Sequence, residues 1–212
     1  MDDVRAFRDA VTRWAAGAAD PQVAEFAARA KELAALLPVR TAVLLEGPSD
    51  VAAVETLAGR RGRDPVAEGV CVISMGGAMS VGRYADVLGP AGLGLRLIGL
   101  CDENERSFYD RALERAGVPS RDVFVCAKDL EDELVRALGT ERVEEIIRAE
   151  GDLRPWLTFR RQPAQHGRPA HEQLRRFLGT KKGRKIRYGH LLVDALDPGR
   201  VPAPLDDLFA SL

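Results

Sequence analysis

Residues 41–50 read Thr41-Ala42-Val43-Leu44-Leu45-Glu46-Gly47-Pro48-Ser49-Asp50, a short apolar run that ends in a carboxylate, a glycine, a proline and a second carboxylate. The run has the pattern of a strand buried on both faces, with Glu46 as its last residue, Gly47-Pro48 turning the chain, Ser49 capping the next helix and Asp50 in its first turn. In an open parallel sheet, ligands bind beyond the carboxyl ends of the strands, where loops diverge and helix N-termini direct their dipoles. Asp50 has an ordinary explanation there, since an acid in the first helical turn is stabilised by roughly 0.3–1 kcal/mol. Glu46 has none, because an ionised carboxylate at the mouth of a buried strand must be paired, protonated or bound to a metal.

Outward from this stretch, apolar runs rich in β-branched residues recur at 70–74, 95–100 and 122–126, after the first at 42–45. Between them lie helical patterns near 49–60, 79–88 and 105–116, and the alternation predicts an α/β fold: a parallel sheet of about four strands with helices on both faces. Upstream, residues 2–16 and 21–36 carry apolar positions at helical spacing and are broken by Gly17 and Asp20-Pro21, which predicts a helical hairpin. Downstream, helices are expected at about 129–138 and 141–150, then a loop-rich basic stretch, then helices near 170–178 and 185–196. The expected organisation is an N-terminal hairpin over 1–38, an α/β core over 39–150 and a basic helical extension over 151–212 that packs on the core.

With 212 residues, 46% hydrophobic and 30% charged, the chain is long enough for one good core. It has no apolar run of eighteen residues, and its acidic, amphipathic start does not read as a signal peptide, so a cytoplasmic location is the default expectation. Cys71, Cys101 and Cys126 are odd in number and embedded in or beside apolar runs, which suits reduced core thiols. His166, His171 and His190 lack metal-ligand spacing and read as surface or helix residues. The formal net charge of −1 conceals an asymmetry: residues 154–187 hold eleven Lys or Arg against one acid, Glu172. Such a segment is either a solvated helical face or a surface for an anionic polymer such as nucleic acid.

A second acidic cluster, Asp102-Glu103-Asn104-Glu105, closes the third strand. Parallel strands end on the same edge of a sheet, so Asp102 and one or both of Asn104 and Glu105 are expected near Glu46. Clustered carboxylates repel unless a cation sits among them, and hard oxygen donors point to Mg²⁺ or Mn²⁺ rather than zinc. The fourth strand is followed by another acidic run, Asp129-Leu130-Glu131-Asp132-Glu133, and the second by Met75-Gly76-Gly77, either a tight turn or a place of close phosphate approach.

E-G-x-x-D after the first strand, the acidic cluster after the third and the M-G-G turn after the second resemble a Toprim domain, the metal-binding α/β module of topoisomerases, primases and several nucleases. More narrowly, L-L-E-G-P-S-D, a Leu-Glu pair after the fourth strand and a late Lys-x-x-Tyr-Gly resemble the Toprim half of the overcoming-lysogenisation-defect (OLD) family nucleases, over residues 40–196. The resemblance implies a metal-dependent endonuclease that cleaves DNA with two Mg²⁺ or Mn²⁺ ions. It implies Glu46, Asp50, Asp102 and Glu131 as metal ligands, Asn104 and Glu105 as further donors, and Lys185 as the cation near the scissile phosphate. Arg160, Arg161, Arg175, Arg176, Lys181, Lys182, Arg184 and Arg187 are the expected nucleic-acid contacts. Where the family carries D-x-D, this chain has Asp102-Glu103-Asn104. That departure favours the alternative of a weakly active or inactive Toprim protein that binds nucleic acid or a separate ATPase. OLD proteins couple Toprim to an ATPase, whereas these 212 residues contain no G-x-x-x-x-G-K-[ST] loop. A separate ATPase subunit and a homodimer are the partners the resemblance suggests.

Overall fold

The computed structural model describes residues 2–17, 22–119 and 122–212. Strands β1 (Thr41–Leu45), β2 (Val70–Ser74), β3 (Arg96–Asp102) and β4 (Val123–Cys126) form one parallel sheet in the order β2-β1-β3-β4. Side chains alternate across a strand, so each strand divides between two cores. Val43 and Leu45 of β1, Val72 of β2, and Ile98 and Leu100 of β3 enter one cluster; Ala42, Leu44, Cys71, Ile73 and Leu97 enter the other. Burial of each such Val, Leu or Ile contributes roughly 1.5–3 kcal/mol.

The second of these cores is covered by α1 (Asp2–Ala16), α2 (Val23–Leu36), α4 (Val81–Leu88) and α5 (Arg106–Arg115). Helix α1 meets it through Val4, Phe7, Ala10 and Val11, a helical stripe, and α1 and α2 pack on each other. The expected break at Asp20-Pro21 lies outside the described residues. The first core is covered by α3 (Pro48–Arg60), α6 (Leu130–Leu138), α7 (Thr140–Ala149), α8 (Leu153–Arg160), α9 (Ala170–Leu178), α10 (Lys182–Asp194) and α11 (Ala203–Ser211). One continuous apolar cluster therefore runs from the sheet through Trp156, Phe159, Phe177 and Tyr188 to Leu208 and Phe209. Arginines tie the last segment down: Arg60 donates to the carbonyls of Val193 and Leu196, Arg63 to that of Phe209 at 2.8 Å, and Arg96 to that of Ser211 at 2.7 Å. Among the described residues, no helix is long and apolar enough to cross a membrane.

Several boundaries differ from those read in the sequence. β1 ends at Leu45, so Glu46 belongs to the turn rather than the strand, and Gly47, not Ser49, is the helix cap. Helices α8 and α11 fall where no helix was expected. Each has proline inside its first turn, Pro155 and Pro204, where a missing N–H costs nothing because those amides have no intrahelical partner. Helix α10 starts at Lys182, not 185, carrying Gly183 inside its first turn.

Candidate metal centre

Glu46, Asp102 and Glu105 come together at the carboxyl edge of the two central strands. One carboxylate oxygen from each lies within 4.8 Å of the other two. Glu46 immediately follows β1, and its carbonyl accepts from Gly77 N–H at 2.9 Å, which locks the Gly76-Gly77 turn beside it. Both glycines have positive φ, 72° and 129°, a backbone that side-chain-bearing residues rarely adopt. Asp102 is the last residue of β3, and Glu105 closes the 3-10 turn Glu103–Glu105 that follows. That tight turn brings Glu105 back towards the sheet and leaves Glu103 and Asn104 exposed.

The electrostatics of the cluster are those of crowded, partly buried acids, whose mutual repulsion and burial outweigh the one nearby ammonium, Lys185. Burial pushes the Asp102 carboxyl up to about 8, aided by repulsion from Asp129, Glu105, Glu46 and Asp50. Burial, then the charge of Glu46, pushes Glu105 up to about 7. Glu105 Oε2 is buried and has no hydrogen-bond partner. A buried carboxylate oxygen normally has one, and the cost of leaving it bare is removed by a cation. Three carboxylates offering hard oxygen donors, one of them with an unpartnered buried oxygen, fit Mg²⁺, Mn²⁺ or Ca²⁺.

Asp50 and Glu131 flank the cluster without joining its three. Asp50 Oδ2 accepts from Gly47 N–H at 2.9 Å, reciprocating the cap of α3, and burial raises its carboxyl. Glu131, in the first turn of α6, is pushed up to about 7 by burial, against the pull of Lys185. Lys185 Nζ stands 3.3 Å from Glu131 Oε1, and lines with Glu46 and Asp50 a small cavity of about 100 Å³. Burial lowers the lysine's affinity for its proton, but Glu131, Asp50 and Glu46 outweigh that and raise it. Lys185 reaches this place because α10 lies tight on α3: a Cβ at Gly189 would meet the Ser49 carbonyl at 2.6 Å. The glycine inside Tyr188-Gly189-His190 was the sequence signal for that contact, and reading it as part of a family motif hid its packing role. His190 is exposed, and its Nδ1 is 2.7 Å from Thr56 Oγ1. Burial pushes the Cys101 thiol up to about 12, and Cys71 and Cys126 are likewise buried, free and raised.

The basic residues divide into two sets. Arg175 pairs with Asp129 at 2.6 Å, Arg160 with Glu144 at 3.4 Å, Arg184 with Asp152 at 3.4 Å, and Arg187 with Glu150 at 3.7 Å and with Asp152. Arg154, Arg161, Arg176 and Lys181 are exposed and have no acidic partner among the described residues. The side chain of Lys182 is outside what the structure describes. The local count of one acid among eleven bases missed these pairs because their acids come from α6, α7 and the turns beside them, outside the basic segment.

Residues 39–103 match the model of the Overcoming lysogenization defect protein-like, TOPRIM domain. Two solved structures share the fold. The C-terminal region of the Burkholderia pseudomallei OLD protein superposes with a TM-score of 0.61 at 19% identity, covering 81% of this chain and 96% of that one. The C-terminal region of the Xanthomonas campestris pv. campestris OLD protein gives 0.58 at 22% identity, covering 81% and 93%. No curated protein matches the sequence. The four-stranded sheet and its flanking helices are a Toprim-like α/β fold of the kind found in those OLD regions.

Proposed function

We propose that this chain, whose residues 39–103 match the OLD-like Toprim family model, is a metal-dependent nuclease that hydrolyses phosphodiester bonds of DNA at the Glu46, Asp102 and Glu105 cluster. One observation carries the reading: Glu46, from the turn after β1, and Asp102 and Glu105, from the end of β3 and the turn after it, converge, and one buried oxygen of Glu105 has no partner. These three residues would hold Mg²⁺ or Mn²⁺, with Asp50 and Glu131 as the neighbouring oxygens for a second ion. Bound there, such an ion would supply the Lewis acidity that phosphodiester hydrolysis needs at the attacking water and at the departing oxygen. Lys185 adds a fixed positive charge beside the cluster, aimed by Glu131 at 3.3 Å and by the contact of α10 with α3. Asp50 fixes the direction of the α3 N-terminus, whose dipole favours an incoming phosphate. Any ATP-driven step would be supplied by another polypeptide segment or subunit.

The test is cleavage of supercoiled plasmid with Mg²⁺, Mn²⁺ and Ca²⁺ in parallel. Wild type is expected to nick or linearise it with Mg²⁺ or Mn²⁺, and Glu46→Gln to abolish cleavage. Lys185→Ala should lower the rate roughly 10²-fold, as loss of one preorganised positive donor does elsewhere. A second reading, binding without cleavage, is favoured by the exposed, neutral Asn104. Wild type and Asn104→Asp both inert with every metal would select it.

A further inference from the structure

Three depressions on the face built by α8, α9 and α10 share lining residues. One, of about 350 Å³, is bounded by Asp129, Arg175 and Arg176, with Phe159 and Thr180. The next, of about 400 Å³, shares Phe159 and Thr180 and adds Arg154, Lys181 and Arg184. The third, of about 290 Å³, shares Lys181 and Arg184 and adds Asp152 and Arg187. They join into one groove whose two acids, Asp129 and Asp152, are each already held by arginine.

The far end of the groove lies at the start of α10. That helix has no capping side chain and no acid in its first turn, so its free amides add positive potential there. The near end lies on the side of the acidic cluster: Arg175 and Asp129 bound it, Asp129 caps α6 two residues before Glu131, and Glu131 contacts Lys185. Arg175 also senses the charge of Asp102 itself. Phe159 is almost wholly buried, so the groove floor presents no open ring face on which a base could stack.

We propose that this groove is a track for a nucleic-acid backbone leading into the metal centre, gripped through phosphates by Arg154, Arg176 and Lys181, while Arg175, Arg184 and Arg187 are spent on acids and shape its walls. The proposal rests on the nuclease reading for its direction but not for its binding. Unpaired cations release counterions when they meet phosphate, whereas cations already neutralised by a neighbouring carboxylate contribute little to that release. Recognition is therefore by charge and spacing, without a preferred base sequence.

The experiment is fluorescence anisotropy of the full chain with labelled duplex and single-stranded DNA in Ca²⁺, over a series of salt concentrations. Wild type should bind with affinity that falls steeply with salt. The triple variant Arg154→Glu, Arg176→Glu, Lys181→Glu should lose at least tenfold in affinity and flatten the slope by about 2–3, near one unit per lost phosphate contact. A control with the same charge change at exposed sites elsewhere, Arg5→Glu, Arg111→Glu, Arg200→Glu, should keep most of the slope, and melting curves should show both variants folded. Equal losses in the two triples, or none in either, overturn the groove. Plasmid cleavage that survives the groove variant overturns the track and leaves the nuclease reading standing. Groove-dependent binding with an inert wild type does the reverse. A wild type that neither binds nor cleaves overturns both.

Discussion

Asp102 and Asp152 are both acids half sheltered from water, and their surroundings push them in opposite directions. Asp102 sits among like charges and rises to about 8. Asp152 is lifted by burial, but the hydrogen bond and charge of Arg184, the Tyr188 hydroxyl and Arg187 outweigh that and lower it. The consequences for stability have opposite sign. A carboxyl raised in the folded state costs stability once pH exceeds its unfolded value of roughly 4, and the cost stops growing above its folded value. Metal-free protein should thus lose stability between about pH 4 and 8 through Asp102 and Glu105. Thermal melts in EDTA should show that decline, Asp102→Asn should flatten it, and Mn²⁺ should raise the midpoint more at pH 8 than at pH 5. An Mn²⁺ effect equal at both pH values, or absent, would count against a metal held by this cluster. For Asp152 the stabilisation is present above the unfolded carboxylate value and lost as pH falls through its depressed folded value.

At the scale of elements, the contact between α3 and α10 sets the position of Lys185, and one hydrogen atom at Gly189 permits it. A methyl there meets the Ser49 carbonyl at 2.6 Å, and both backbones belong to helices that cannot yield separately. Gly189→Ala is expected to cost about 1–3 kcal/mol in urea unfolding. Gly59, on the exposed side of α3, provides the contrast, because a methyl added there would meet nothing within 4 Å. Gly59→Ala should stabilise by about 0.5–1 kcal/mol. If the two substitutions act alike, the close approach is not what holds α10. Asp152 performs a similar service between α8 and α10, accepting from Tyr188 Oη at 3.2 Å and from Arg184 and Arg187. Asp152→Ala leaves a buried hydroxyl and a nearly buried guanidinium without their partner, a loss of about 1–3 kcal/mol that the same unfolding measurement reads.

Over the whole molecule, the sheet divides the work. One face carries the N-terminal hairpin with α4 and α5 and is held further by Arg8, which reaches Glu55 at 2.9 Å. The other carries every helix from α6 onward, so the basic segment is fastened to the same edge of the sheet that gathers the acids. Cations and carboxylates therefore lie side by side while the net charge stays at −1. Binding of a polyanion should accordingly respond to salt far more strongly than that charge suggests. Glu46→Gln should leave such binding nearly unchanged while removing cleavage, and a parallel fall in both would mean that the two surfaces are not separate.

What the sequence alone determined was the sheet and its chemical edge. The β-branched runs at 42–45 and 70–74 announce strands because alternate side chains must fill two cores, and Glu46 and Asp102 follow from the fact that parallel strands end together. Short-range pattern has no access to the rest. That Glu105, rather than exposed Asn104, turns inward depends on one tight 3-10 turn. That Asp50 caps its own helix and Glu131 holds Lys185, while neither joins the cluster of three, depends on how α3, α6 and α10 pack. The basic segment is the plainest case: its acid partners lie in other elements, so which arginines are ion-paired and which have no acidic partner among the described residues was decided only when those helices met, because an ion pair depends on distance in space and not along the chain.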